Sequence, residues 1–251
     1  MRRIKTPASR FMGLVKTEGI VLRETKYGEH DKMLTVFTKD WGAVSVSARG
    51  VRGGKRRCAG AGLFCYSHFV LFQGRSTYQL NECELIRSFH RVSDDLPRMS
   101  CASYFCEILS GEQMENQPLM RLLLNALSLL EEGSRALWLI KGVFELRAAG
   151  ELGFAPQLFS CVRCGNEKEP TCISIREGGV LCRQCAGAGP AVSQSVLNAV
   201  RFVQLAKNPF SFSLAPEFIC EFSAVCEQFL LYHLDKHPKT LDFLKNLLQL
   251  Q

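Results

Sequence analysis

The sequence predicts a multi-domain α+β protein: a small five-stranded β-barrel, then an α-helical domain interrupted by a four-cysteine module. Three observations carry that prediction. Hydrophobic residues recur with a period of two as far as about Arg87 and with a period near 3.6 from Pro97 onward. Two Cys-x-x-Cys pairs, Cys161/Cys164 and Cys182/Cys185, are separated by seventeen residues inside the helical part. Basic charge is concentrated at the start: residues 1–60 hold fourteen Lys/Arg against five Asp/Glu, and the remainder seventeen against nineteen.

Five strands are expected in the first part. Leu14–Arg23 and Met33–Thr38 are rich in β-branched and apolar residues, and Lys39-Asp40-Trp41-Gly42 supplies a turn in which Gly42 suits a positive φ. Ala43–Ala48 alternates, with Val44 and Val46 against Ser45 and Ser47. A glycine-rich basic loop covers Arg49–Gly62, and Leu63–Phe72 and Thr77–Ile86 follow. Five short strands with a long loop after the third suit a closed barrel, of which the OB-fold is the commonest at this size. Helices are expected over Met99–Leu109, Pro118–Glu132, Arg135–Ala149, Ser193–Ala206, Pro216–Leu234 and Lys239–Leu250. The second has apolar residues nearly all round, which predicts burial. The boundaries read as a basic extension (1–12), the barrel (13–90), a first helical part (91–158), the cysteine module (159–190) and a second helical part (191–251).

Two Cys-x-x-Cys knuckles at this separation have the spacing of a four-thiolate zinc site. Each tight turn presents two sulfurs, and Gly165 and Gly187, which follow the pairs, supply backbone freedom. Cys161, Cys164, Cys182 and Cys185 would fill the tetrahedral shell of one structural Zn²⁺ and leave no position for water or substrate. Cys172 lies between the knuckles and lacks a partner at ligand spacing. The other cysteines follow no disulfide framework, and the chain has neither a signal-peptide core nor an apolar run long enough to span a bilayer. A reducing cytoplasm and no membrane contact are expected.

Arg49, Arg52, Lys55, Arg56 and Arg57 place five cations among glycines in nine residues. Such a run tracks phosphates with steep salt dependence and little sequence preference. Arg23, Lys26 and Lys32 flank the loop between the first two strands and extend that path. Tyr27, Trp41, Phe64 and Tyr66 are either stacking faces for bases or barrel core. His233 and His237 are expected on the surface or in a C-terminal helical turn. Neither a P-loop, a nucleophile elbow, a dinucleotide fingerprint nor an identifiable catalytic carboxylate pair is present, so an enzyme is not expected.

Val15–Lys32, Leu34–Gly42 and the Ala48–Arg52 start of the basic loop resemble the RecO family of bacterial DNA repair proteins. The order of barrel, helices, four-cysteine insertion and further helices is similar too. The resemblance implies an OB-fold that binds single- and double-stranded DNA and anneals complementary strands in the RecFOR pathway of recombination. It implies RecR as partner, the C-terminal tail of single-stranded-DNA-binding protein (SSB) as a contact, loading of RecA, indirect links to RecF and RecA, and a nucleoid-associated place in the cytoplasm. The other reading is an interaction scaffold whose helical domain docks the SSB tail or RecR, with DNA binding secondary. There, Arg121, Arg135 and Lys141 either receive the tail's carboxylates or are ordinary solvated charges. The chain departs from the family pattern in its eleven-residue basic extension and its Gly/Ala/Cys-rich Cys58–Leu63 segment.

Overall fold

A computed structural model describes residues 13–51, 58–74, 77–168, 170–187 and 191–249. The chain forms two compact units: one runs to Asp94 and takes in Cys106–Met120, and the other comprises Asp95–Phe105 and Arg121–Gln251.

In the first unit, β1 (Leu14–Tyr27), β2 (Asp31–Thr38), β3 (Gly42–Ala48), β4 (Cys65–Gln73) and β5 (Tyr78–Ser88) close a barrel in the order β1-β2-β3-β5-β4. Leu14–Ile20 of β1 pairs with β4, and Gly19–Tyr27 pairs with β2. β1 changes neighbour along its length, and at Gly19 and Ile20, which belong to both ladders, β2 comes in close. Gly19 permits this, since a Cβ there would lie 2.7 Å from Val36 Cγ1. The register with β2 then shifts between Val21 and Arg23, a bulge that buries Ile20, Val21 and Leu22 in succession. The parallel Val46–Tyr78 and Ser47–Gln79 pairs complete the ring. Val21, Leu34, Val36, Val46, Phe69, Leu71 and Leu80 fill it. The turn before β3 has Gly42 at φ +69°, as its sequence predicts.

β1 extends four residues beyond the predicted end at Arg23. Glu24–Tyr27 are polar and exposed on both faces, so they carry no alternation to read. The ladder with Asp31–Leu34 holds them in strand form regardless.

Several helix starts have a local cause. The Arg98 backbone N–H donates to Asp95 Oδ1 at 2.9 Å, opening α1 (Leu96–Leu109) three residues earlier than apolar periodicity suggests. Leu119 N–H donates to Asn116 Oδ1 at the start of α2 (Gln117–Glu132). Ser193 caps α5 (Gln194–Leu205), accepting from Val196 N–H, and Pro216 opens α6 (Pro216–Leu234). α3 (Leu137–Glu151) is buried along most of its length, and α7 (Lys239–Gln249) ends the described chain. α2 departs from its predicted all-round burial: Arg121, Asn125 and Glu132 are exposed, while Leu123, Ala126, Leu127 and Leu130 are buried. α3 and α6 approach closely at Gly142, where a Cβ would sit 2.7 Å from the Phe222 ring.

Between α3 and α5 lies the cysteine module, made of β6 (Pro170–Ser174), β7 (Gly179–Cys182) and the single turn α4 (Arg183–Ala186).

The α3–α6 contact also encloses charge. Lys141 Nζ lies 2.8 Å from Glu145 Oε1 and 2.7 Å from Glu227 Oε2, and Lys141 and Glu145 are fully buried. Tyr104 OH donates to Glu145 Oε1 at 2.7 Å, and Lys245 of α7 pairs with Glu227. Burial by itself would strip Lys141 of its proton, but the two carboxylates outweigh it and raise its pKa. Burial raises the Glu145 carboxyl to about 7 against the pull of Lys141 and Tyr104. Its Oε2 has no hydrogen-bond partner and is the natural seat for that proton. Glu227, also opposed by burial, is held below its ordinary range by Lys141 and Lys245.

Replacing Lys141 with Ala leaves two carboxylates facing each other in apolar surroundings. The expected cost is about 3–5 kcal/mol, read from urea unfolding followed through Trp138 fluorescence. The pH dependence has a definite sign. A raised Glu145 pKa contributes stability that is full below about 4.5 and is lost as pH rises to about 7. Glu227 acts oppositely, and only as pH falls below its ordinary value. Wild type is therefore expected to lose stability relative to Glu145→Gln between pH 4.5 and 7; a constant difference across that window would refute the assignment.

Candidate nucleic-acid interface and metal centre

Four of the predicted phosphate-binding residues, Arg23, Lys26, Lys32 and Arg49, lie on β1, β2 and directly after β3. Arg23 follows the β1 bulge and is exposed, as are Lys26 and Arg49. In the β1–β2 register Lys26 stands directly opposite Lys32, and Lys32 is opposite Ala48 on β3. Like charges directly across a ladder repel. Lys32 is relieved by Glu24, whose Oε2 lies 2.8 Å from its Nζ, whereas Lys26 has no carboxylate partner among the described residues. Asp31 Oδ1 accepts from the Gly50 backbone N–H at 2.8 Å and ties the start of the basic run to the β1–β2 hairpin. Glu24, Thr25, Lys26, Lys32 and Val51 line an open groove of about 420 Å³ there. Arg52, Lys55, Arg56 and Arg57 lie outside the described residues.

The four aromatic residues separate into different roles. Phe64 is fully buried at φ +59°, its N–H donating to Val21 O. Trp41 stacks on Tyr78 with centroids 5.6 Å apart. Tyr66 OH donates to Glu18 Oε2 at 2.6 Å, and burial together with that carboxylate pushes its pKa up to about 12. Tyr27, beside the hairpin turn, is 65% exposed.

In the second unit, Sγ of Cys161, Cys164, Cys182 and Cys185 all lie within 4.8 Å of one another. The Cys164–Cys182 separation is 3.7 Å. Tetrahedral thiolates about 2.3 Å from zinc stand roughly 3.8 Å apart, so this cradle fits that ion. Backbone N–H groups of Cys182, Cys164 and Arg163 lower Cys161 to about 6, whereas hydrogen bonds from the Cys185 thiol to the other three sulfurs favour its protonated form and raise it to about 12. Four crowded thiols cannot all ionise unaided; a dication removes the conflict. Gly165 (φ +73°) and Gly187 (φ +58°) adopt the conformations their positions predict. Cys172 is buried on β6 outside the quartet, its thiol pKa raised by burial.

Sequence reasoning missed two connections. Arg163, inside the first knuckle, donates from Nη1 to Cys185 O in the second at 2.8 Å, and its Nε and Nη2 donate to Glu177, each at 2.7 Å. It straps the knuckles together and places positive charge beside a tetrathiolate that would carry net negative charge with zinc bound. His233 stands in the last turn of α6, as expected of a C-terminal-turn histidine, but it is also docked: its Nε2 donates to Ile175 O at 3.0 Å, and it packs on Phe154 and Phe229. His237 is exposed. Neither partner choice is visible in linear spacing. The Lys141–Glu145 i,i+4 pair was visible, but its burial was not.

Lys141 therefore corrects an expectation: enclosed by Glu145 and Glu227, it is neither a solvated charge nor open to a partner's carboxylate. Arg135 donates to Phe212 O at 2.8 Å, and Arg121 is exposed. Among the described residues no helix is long and apolar enough to cross a membrane.

The family model described as Recombination protein O N terminal matches residues 12–89, and that described as Recombination protein O C terminal matches residues 93–242. The chain belongs to the RecO family. The DNA repair protein RecO of Acetivibrio thermocellus is 35% identical over 246 residues, covering 94% of this chain and 98% of the relative. That of Alkaliphilus metalliredigens is 36% identical over 236 residues, covering 89% and 95%, and that of Symbiobacterium thermophilum is 31% identical over 249, covering 94% and 98%. Membership carries a role in DNA repair and recombination.

Zinc content measured after purification with zinc is expected to be one ion per chain, and close to none in Cys182→Ser. Arg163→Ala should keep the ligands and release metal to a chromogenic chelator about tenfold faster. An unchanged release rate would show that the strap does nothing for the ion.

Proposed function

We propose that this RecO-family chain is a non-enzymatic recombination mediator whose barrel end grips DNA phosphates. The observation that carries this reading is the β1–β2 register, which sets Lys26 opposite Lys32, with Glu24 paired to Lys32 and Lys26 without a carboxylate partner among the described residues, while Arg23 and Arg49 are exposed. A ladder with like charges facing each other is relieved by an anion. Arg52, Lys55, Arg56 and Arg57 continue the same run and extend the grip along a strand. Binding is expected for both single- and double-stranded DNA, because phosphates are common to both. Cations that neutralise two strands together lower their mutual repulsion, which is the physical basis for annealing complementary strands.

Family membership further supports a place beside RecR, in contact with the SSB tail, in loading RecA onto SSB-coated single strands, with RecF in the same pathway. Work at the nucleoid in the cytoplasm fits that role. The metal module is a structural part of this reading: Cys161, Cys164, Cys182 and Cys185 would hold one Zn²⁺ with a closed shell, keeping the β6–β7 hairpin folded between helices.

Fluorescence titration of single-stranded DNA at several salt concentrations tests the phosphate grip. Replacing Arg52, Lys55, Arg56 and Arg57 with Ala is expected to weaken binding and to reduce the slope of log affinity against log salt by about 3. Binding that ignores salt, or a variant that binds as wild type does, would sink the assignment.

A further inference from the structure

We infer that Tyr27 is a stacking platform for one unpaired nucleobase, which makes this barrel end selective for single strands. The inference rests on the DNA reading above and adds to it what a cluster of cations cannot supply. Phosphate contacts are alike on single strands and duplexes. A base face is different: in a duplex it is covered by its neighbours, and only an unpaired base can offer it to a ring.

Of the four aromatic residues set out above, three are committed inside the barrel unit. Phe64 is sealed in the core, Trp41 stacks on Tyr78, and Tyr66 is held by Glu18. Tyr27 is 65% exposed, and its side chain has neither a ring contact nor a hydrogen bond among the described residues. Its backbone is nevertheless well fixed. Tyr27 pairs with Asp31 as the last rung of the β1–β2 ladder, and Gly28 turns the chain at φ +62° directly after it. The ring is therefore presented from a strand end and not from a loose loop, so little ordering entropy opposes stacking.

Its neighbours complete a subsite. Asp31, its cross-strand partner, binds the Gly50 N–H next to Arg49. On the regular ladder Arg23 stands on the same face of β1 as Tyr27, so a strand whose phosphates lie along Arg23 and Arg49 passes the ring. Stacking is tolerant of base identity, so selectivity for single strands arises without sequence preference. It also gives direction to annealing: once two strands pair, their bases stack on each other, the Tyr27 contact is lost, and the product is held less tightly than the reactants.

The test measures binding of oligo(dT), of an abasic strand of equal length and of a duplex, by fluorescence anisotropy, for wild type, Tyr27→Ala, Tyr27→Phe and the double variant Arg23→Ala/Arg49→Ala. Tyr27→Ala is expected to lose about tenfold on oligo(dT) and less than about twofold on the abasic strand and the duplex. Tyr27→Phe, which keeps the ring, should bind oligo(dT) as wild type does. The double variant should weaken all three. If Tyr27→Ala weakens all three alike, or none, the stacking assignment is overturned even though the double variant still loses affinity. If the double variant loses nothing, the DNA reading of this barrel end falls and the subsite with it. Thermal melts of each variant separate these outcomes from misfolding; exposure of Tyr27 predicts unaltered melting.

Discussion

One strand has to satisfy two neighbours, and the barrel unit depends on how it does so. β1 gives its first half to β4 and its second half to β2. That is possible only because Gly19 lets Val36 approach and because the register shifts between Val21 and Arg23. At the bulge Ile20, Val21 and Leu22 are all buried, with Val21 in the barrel core, and beyond it β1 continues as an exposed polar ladder. Closure and the projecting hairpin are thus consequences of the same irregularity. The hairpin carries Arg23, Lys26 and Tyr27, and its Asp31 anchors the start of the basic run through Gly50. The candidate interface is positioned by the strand that closes the barrel.

The helical unit meets a different constraint. A lysine and two glutamates within the α3–α6 contact are more demanding than an apolar core of the same volume, because each ion must recover in local partners what it loses in hydration. Lys141 recovers it through Glu145 and Glu227, and Lys245 completes the charge balance from α7. Tyr104 of α1, Lys141 and Glu145 of α3, Glu227 of α6 and Lys245 of α7 form one connected network, so sliding any of these helices would break a buried charge contact. Gly142 against Phe222 reinforces the same registration sterically. Within this unit the cysteine module is joined to its surroundings by His233 and stiffened internally by Arg163. Metal binding and helix packing are therefore connected through hydrogen bonds to the β6–β7 hairpin.

Much of this was legible before the structure. The two Cys-x-x-Cys pairs indicated their own chemistry, because each knuckle is a local turn with two sulfurs and four sulfurs at that spacing have few other uses. The five strands and most helix starts followed from alternation, glycine and capping residues such as Ser193 and Pro216. What misled was periodicity without context. The end of β1 has no alternation and read as loop, although its ladder is regular. α2 read as apolar all round, although Arg121, Asn125 and Glu132 share an exposed face. Lys141 read as a surface charge because lysine usually is one, and the carboxylate that encloses it from α6 lies eighty-six residues away.

By itself the sequence determined the class of the protein, the four cysteines that gather as a candidate metal site and the polarity of charge along the chain. Those properties belong to residue types and short spacings, and they survive any arrangement of the elements. Tertiary structure decided which cations have carboxylate partners and which do not, which of four aromatic rings remains available, and how the knuckles are strapped. Such properties depend on what stands opposite across a ladder or a helix contact. Shifting the β1–β2 register by one residue would undo the Lys26–Lys32 opposition and re-face Tyr27, with no change in the sequence at all.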